Sequence, residues 1–121
     1  MRKNFGPTSK QRLNYTKIHD ELVHAVVIAV AATKLAKVWP NPTGAAYREN
    51  QLIRYGLIGS ADITGILVNG KRLDIEVKTG NAVQSPAQIA FQTMVTNMGG
   101  HYILARSVES AVESVKSIFK E

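Results

Sequence analysis

The chain has 121 residues, 45% of them hydrophobic, and carries a formal net charge of +6. This length suits one domain with a single core. The chain contains no cysteine, which excludes disulfides and thiolate metal sites. The positive charge favours a polyanionic partner, because Lys and Arg side chains that neutralise phosphates release counterions. Nucleic acid is therefore the expected partner.

The first 15 residues are polar and basic, and they are assigned as an N-terminal arm that precedes a domain at 16–121. Five basic residues come before the first acidic one, Asp20; they are Arg2, Lys3, Lys10, Arg12 and Lys17. Such a run is either a solvated terminus or an arm that contacts DNA. The sequence leaves both interpretations open.

The most apolar stretch, Leu22 to Ala36, contains His24 and Lys34 and is shorter than the roughly 20 apolar residues that a membrane span needs. It predicts a buried helix. The N-terminus also has no signal-peptide pattern. A cytoplasmic protein with no membrane partner is therefore expected.

The first helix is predicted to have Thr16 as its N-cap and to run through about Val38, because the residue before Pro40 resists helical angles. Turn residues fill 40–44, and Leu52-Ile53 predicts the start of a strand. Between residues 62 and 78, two apolar runs then flank Asn69-Gly70. That dipeptide is a strong local signal for a β-hairpin.

The second helix is predicted to begin at Pro86, with Ser85 and Gln88 forming a capping box. Gly99-Gly100 ends this helix, a strand follows at 101–105, and a last amphipathic helix comes after it, with Ser107 as its cap. The order of elements predicts an α/β fold in which helices flank one mixed sheet.

Charged residues on the predicted hairpin point to chemistry. Apolar and charged residues alternate from 73 to 78, so Glu76 and Lys78 share one face of a strand. Such alternation alone is typical of any strand that has one side in solvent. Asp62 begins the partner strand at the end where Glu76 and Lys78 arrive. Mg²⁺ and similar hard cations bind carboxylate oxygens. Asp62 and Glu76 are therefore predicted to hold Mg²⁺ or Mn²⁺, while Lys78 either orients a water or offsets charge in the transition state.

The predicted metal site requires one particular register of the hairpin. A two-residue Asn69-Gly70 turn would set Asp62 opposite Val77 and separate the two carboxylates. A three-residue loop, with Gly70 in the left-handed position of a G1 bulge, sets Asp62 opposite Glu76 instead. The bulged turn is predicted.

Three segments together resemble the VRR-NUC branch of the PD-(D/E)XK nuclease superfamily. They are Gly59-Ser60-Ala61-Asp62-Ile63, then Leu73-Asp74-Ile75-Glu76-Val77-Lys78-Thr79-Gly80, and Ser85-Pro86-Ala87-Gln88. The resemblance extends roughly from Asp20 to Val115. Ala61 departs from it, because the family has proline before the aspartate.

The resemblance implies a single-domain, restriction-endonuclease-like fold and a metal-dependent endonuclease. It makes Asp62 and Glu76 catalytic metal ligands, joined by the backbone carbonyl of Val77, and gives Lys78 a role in hydrolysis. A glutamate of the first helix, here Glu21, would complete the acidic cluster. Without the resemblance, Glu21 is equally interpreted as a solvated acid near the start of a helix.

Other candidate residues have weaker support. Gln88 matches a glutamine of the family, and its capping-box position explains it equally well. Arg48, Arg54 and Lys71 are candidates for phosphate contacts. The three histidines, His19, His24 and His101, lack the paired spacing of a zinc motif. A zinc hydrolase is therefore disfavoured, and no histidine is predicted to bind a metal.

Stand-alone members of the resembled family look like viral enzymes that dimerise and cut branched DNA. The expected substrate is therefore branched DNA such as a Holliday junction. The expected enzyme is a homodimer in the cytoplasm, that of the host if the protein is viral, with no organic cofactor. Two alternatives stay open. One is a duplex endonuclease of restriction type, and the other is a non-catalytic DNA-binding module on the same fold.

Overall fold

The computed structural model describes residues 9–42 and 44–120. Its described part is a mixed α/β fold with three helices and a mixed sheet. The elements in chain order are α1 (Ser9–Ala32), β1 (Ala36–Pro40), β2 (Gly44–Arg48), β3 (Gln51–Tyr55), β4 (Ile63–Leu67), β5 (Arg72–Val77), α2 (Pro86–Asn97), β6 (His101–Ala105) and α3 (Val108–Ile118).

The main sheet has four strands in the order β1-β4-β5-β6. The first three are antiparallel neighbours, whereas β5 and β6 run parallel. A parallel pair needs a crossover connection, and α2 lies in that connection. The site-bearing strand β5 is therefore central, with a hydrogen-bonded neighbour on each side.

One face of the sheet carries the main core. Alternate residues of β5, namely Leu73, Ile75 and Val77, are fully buried there against Val26 and Val30 of α1. Residues of α3 belong to the same cluster, including Ala111 and Val115. A smaller cluster on the opposite face joins Phe91 and Val95 of α2 to Ala61 and Tyr102. The charged side of β5 thus lies between the sheet and α2 rather than in open solvent.

The prediction for the first helix is wrong at both ends. Thr16 lies inside α1, which includes residues 9–15 of the predicted arm; residues 1–8 lie outside the described residues. The helix ends at Ala32, and Ala36–Pro40 is a strand, β1, where helix was predicted. A turn at Thr33 and Lys34 separates them, with Lys34 at φ +61. The run is apolar because α1 and β1 each bury one face in the same core.

The predicted β-hairpin and its bulged turn are confirmed. β4 pairs with β5 in the register Ile63↔Ile75 through Ile66↔Arg72. The amide of Gly70 donates to the carbonyl of Leu67 at 2.8 Å, and the amide of Leu67 donates to the carbonyl of Lys71 at 2.9 Å. This closes a three-residue loop with Gly70 at φ +87, in the left-handed region.

The predictions for the second half of the chain are confirmed as well. Ser85 caps α2 in a complete capping box with Gln88, and Pro86 starts the helix. The next strand is β6, His101–Ala105, and Ser107 caps α3. These elements have local start and stop signals, which is why the sequence predicts their bounds well.

A second, separate hairpin consists of β2 and β3. Its strands pair from Gly44↔Tyr55 to Arg48↔Gln51, so the turn has two residues, Glu49 and Asn50. The predicted strand start at Leu52-Ile53 falls inside β3, whereas β2 was not predicted. Every side chain of β3 is exposed. Within the part of the chain that the structure describes, no helix is long and apolar enough to cross a membrane.

Candidate active site

Asp62 and Glu76 face each other at one end of the β4–β5 hairpin. The pairing Ile63↔Ile75 is the last in that register, and one step further sets Asp62 opposite Glu76. Asn41 fixes this end of the hairpin. Its backbone amide donates to the carbonyl of Asp62 at 2.7 Å, and its side-chain Nδ2 donates to the carbonyl of Ala61 at 3.1 Å. The site therefore forms where three strands end together.

The carboxylate of Asp62 is fixed by the end of β5. Its Oδ2 accepts a hydrogen bond from the backbone amide of Val77 at 2.8 Å. The side chain keeps 26% exposure, so it is reachable from solvent. A carboxylate that is fixed in position and accessible from solvent is a suitable ligand for a hard cation.

Glu76 is buried, with 2% exposure, and its two oxygens have different surroundings. Oε2 accepts from Nε2 of Gln88 at 2.9 Å and lies 3.3 Å from Nζ of Lys78. Oε1 is buried and has no hydrogen-bond partner among the described residues. Burial and, to a lesser extent, the charge of Asp62 raise the pKa of Glu76 to about 7, against the opposing effect of Lys78. The folded protein therefore disfavours the ionised form of Glu76.

Gln88 forms the capping box and also contacts a carboxylate of the candidate site, while its catalytic role stays a prediction. Its Oε1 accepts from the backbone amide of Ser85 at 2.9 Å, which is the capping-box contact. Its Nε2 donates to Oε2 of Glu76. The cap thus fixes the amide in the orientation in which it supports the carboxylate.

His19 of α1 is a site residue that the sequence analysis did not assign. Its Nε2 lies 3.0 Å from the carbonyl oxygen of Val77 and 3.2 Å from Oδ2 of Asp62. His19 precedes Val23, Val26 and Val30 by four, seven and eleven residues, which is the spacing of one helix face. That periodicity was the signal in the sequence that could have identified it.

Glu21 is not among the residues that the structure brings together. Its side chain is exposed. Two residues along an α-helix correspond to about 200° of rotation, so Glu21 points away from the face that carries His19. In this fold the side chain that α1 delivers to Asp62 is an imidazole, not a carboxylate.

The weaker candidates lie away from the two carboxylates. Arg48 and Arg54 are exposed on the β2–β3 hairpin, which leaves the sheet between Asn41 and Asp62. Lys71 is exposed at the opposite end of β5, about 16 Å from Glu76 along the strand. None of the three contributes to the cluster itself.

The residues fit a divalent cation. Two carboxylates and the carbonyl of Val77 converge, and Oε1 of Glu76 is a buried acceptor without a donor. Within residues 9–42 and 44–120, no group of three or more His, Cys, Asp or Glu side chains is arranged so that it could hold a metal ion by itself. Mg²⁺ does not need one, because it binds through one or two carboxylates and keeps several waters.

Comparison with protein-family models gives no match for this chain, and comparison with curated proteins gives none either. The resemblance to the VRR-NUC branch therefore depends on the motif residues themselves. Their positions in the fold, rather than a relative, have to support any functional conclusion.

Proposed function

We propose that this protein is a metal-dependent endonuclease of the VRR-NUC type, on a PD-(D/E)XK fold, that hydrolyses phosphodiester bonds in DNA. The observation that carries the proposal is the state of Glu76. It is a buried carboxylate with one unpartnered oxygen, opposite Asp62 and in contact with Lys78. A purely structural strand end would leave such a carboxylate either solvated or fully paired.

Each residue has a role that follows from its contacts. Asp62, Glu76 and the carbonyl of Val77 would hold Mg²⁺ or Mn²⁺, which supplies a Lewis acid for a phosphate oxygen and lowers the pKa of a water. Gln88 holds Oε2 of Glu76 and so leaves Oε1 free to bind. Lys78, with 14% exposure, presents its ammonium to the same cluster. There it either orients the attacking water or stabilises the charge that develops on the phosphate.

We propose branched DNA, such as a Holliday junction, as the substrate. The net charge of +6 favours a polyanion. The β2–β3 hairpin leaves the sheet beside Asp62 and exposes Arg48 and Arg54 together with Tyr47 and Tyr55. Arginine binds phosphate, and exposed aromatic rings stack on base faces, which become accessible where the helices part at a branch point.

A two-fold homodimer would present two such sites to the two strands of a symmetric junction. It would act in the cytoplasm, of the host if the protein is viral, and the absence of cysteine suits a reducing compartment. A monomeric mass in solution together with full junction cleavage would contradict the dimer while leaving the nuclease intact.

The test compares wild type with Lys78→Ala on a four-way junction, a flap and a plain duplex, with Mg²⁺, with Mn²⁺ and with chelator. Wild type is expected to cut the junction best and to be inactive with chelator. Lys78→Ala is expected to lose at least about 10²-fold in cleavage rate, as removal of one charge-stabilising donor typically does. Lys116→Ala, which alters an exposed lysine of α3, is the matched control and should cut like wild type.

The same experiment separates the alternatives. Preferential cleavage of duplex over junction would favour an endonuclease of restriction type. Tight junction binding by wild type without any cleavage would favour a DNA-binding module on a nuclease fold. Equal inactivity of wild type and Lys78→Ala under all conditions would overturn the enzyme proposal.

A further inference from the structure

His19 lies at the point where the oxygens of the site converge. Its Nε2 is 3.0 Å from the carbonyl oxygen of Val77 and 3.2 Å from Oδ2 of Asp62. A single ring nitrogen thus approaches two of the oxygens that would bind a cation. The third, the carboxylate of Glu76, stands opposite Asp62 in the hairpin register.

A purely structural function for His19 would be to tie α1 to the end of β5. That link is not needed to fix Asp62, because the amide of Val77 already donates to the same Oδ2 at 2.8 Å. The His19 side chain is also not sealed in the core. It keeps 31% exposure and lines a cavity of about 390 Å³ together with Asp62 and Asp20.

The second ring nitrogen faces a carboxylate. Nδ1 of His19 lies 3.7 Å from Oδ1 of Asp20, whose side chain is 65% exposed and free to adjust. Metal-ligating histidines commonly donate their other N–H to a carboxylate, which orients the ring and fixes its tautomer. In the structure Nε2 faces two acceptor oxygens and donates its proton to them, and Asp20 is near enough to accept from Nδ1 once a cation takes the place of that proton.

We propose that His19 is a nitrogen ligand of the metal site and that it shifts metal preference away from Mg²⁺. This inference rests on the proposed function and deepens it. Imidazole nitrogen binds transition metals well, whereas Mg²⁺ prefers oxygen ligands and retains its waters. The structure already holds Oδ2 of Asp62 and the carbonyl of Val77 within 3.2 Å of Nε2 of His19, and Glu76 would complete the ligand set on metal binding. The imidazole then takes the place that the family resemblance gives to Glu21.

The test is Mn²⁺ binding followed by electron spin-echo envelope modulation, which detects nitrogen bonded directly to Mn²⁺. Wild type with one equivalent of Mn²⁺ is expected to show ¹⁴N modulation from one imidazole. His19→Gln is expected to lose the modulation and to bind Mn²⁺ about 10-fold more weakly, with Mg²⁺ affinity changed less than about threefold. His24→Gln is the matched control, because His24 lines the same cavity from α1, whereas the histidine that is hydrogen-bonded to Asp62 is His19.

A further variant distinguishes failure of this inference from failure of the proposed function. Asp62→Asn should abolish Mn²⁺ binding. If wild type and Asp62→Asn bind Mn²⁺ equally, the metal site itself, and with it the proposed function, is overturned. If Asp62→Asn loses binding while His19→Gln keeps the ¹⁴N modulation and the wild-type affinities, only the role of His19 is overturned.

Loss of folding in His19→Gln does not prevent the test. The chain has three histidines, so the double variant His24→Gln/His101→Gln retains His19 alone. This variant, without an affinity tag and labelled with ¹⁵N-histidine, should show ¹⁵N coupling to Mn²⁺. Mn²⁺ binding without that coupling would overturn the proposal.

Discussion

The two hairpins of this chain have the same topology but different surroundings. The β4–β5 hairpin has a three-residue loop, and five of the six side chains of β5 are buried. The β2–β3 hairpin has a two-residue turn, with Glu49 and Asn50 both at positive φ, and all five side chains of β3 are exposed. The β4–β5 hairpin is thus part of the core, whereas the β2–β3 hairpin is held mainly by the pairing of its own two strands.

The difference in burial between the two hairpins shows what keeps paired strands in register. A slip of one residue in β5 would turn Leu73, Ile75 and Val77 away from the core and move Glu76 away from Asp62, so burial opposes it strongly. No comparable burial opposes a slip in β3. The chemistry that we propose is therefore located in the hairpin whose geometry the core enforces, and the substrate contacts in the one that is free to adapt.

The largest expected effect concerns Arg72 and Asp74 in β5. Asp74 is fully buried, and Arg72 donates to both of its oxygens, at 2.6 and 3.1 Å. Arg72→Met would leave the buried carboxylate unpaired and should cost about 2–3 kcal/mol, below the usual value for a fully buried pair because Arg72 is 54% exposed. Thermal unfolding should show a drop in Tm on the order of 10 °C.

Two further variants make this measurement specific. Arg54→Met, at an exposed arginine of β3, should leave Tm within about 1–2 °C of wild type. Arg72→Met/Asp74→Leu should recover most of the lost stability, because it removes the unpaired charge as well. A large loss in Arg54→Met would mean that the β2–β3 hairpin contributes to the global core, and the contrast between the hairpins would fail.

The next effect is the pH dependence that Glu76 confers. Its pKa in the folded protein is about 7, above the value of 4.5 for a free glutamate, so the folded state resists ionisation. Without metal, this group should lower stability as the pH rises from about 4.5 to 7, and the cost should then stay constant. At pH 8 we expect Glu76→Gln to be more stable than wild type by on the order of 1–2 kcal/mol, with little difference at pH 4.

Added Mg²⁺ should reverse this order. It is expected to raise Tm of wild type at pH 8, to do so much less at pH 5, and to leave Glu76→Gln unchanged. Glu49→Gln, which alters an exposed carboxylate in the other hairpin, should behave like wild type throughout. An identical dependence of stability on pH for wild type and Glu76→Gln would contradict a raised pKa at Glu76.

The parts of the fold that the sequence predicted are those with local signals. The cap at Ser85, Pro86 at the start of α2 and Gly99-Gly100 at its end gave correct bounds, and Asn69-Gly70 gave the correct hairpin. The run from α1 into β1 was predicted wrongly. Both elements there bury apolar faces in one core, and the turn between them lacks glycine and proline.

The residues of the candidate site also differ in how far the sequence alone identifies them. Asp62, Glu76 and Lys78 follow from strand alternation plus register, and the structure brings them together. His19 shares a helix face with Val23 and Val26, but that periodicity does not reveal its partners, which are 43 and 58 residues away. Only the rotation of α1 against the sheet decides whether His19 or Glu21 faces Asp62, and that rotation is a property of tertiary packing.

The smallest effect tests whether the turn or the core sets the register. Gly70 has φ +87 and open space around its Cα, so Gly70→Ala would cost only backbone strain, about 1 kcal/mol, or a few degrees of Tm. We expect Mn²⁺ affinity to stay within about twofold, because the buried face of β5 still enforces the pairing of Asp62 with Glu76. Asn50→Ala, at φ +66 in the other turn, should shift Tm by less than about 1 °C while speeding hydrogen exchange throughout β2 and β3, because that hairpin can open locally. Loss of Mn²⁺ binding in a folded Gly70→Ala protein would show instead that the glycine of the bulge, and not the core, keeps the two carboxylates on one face.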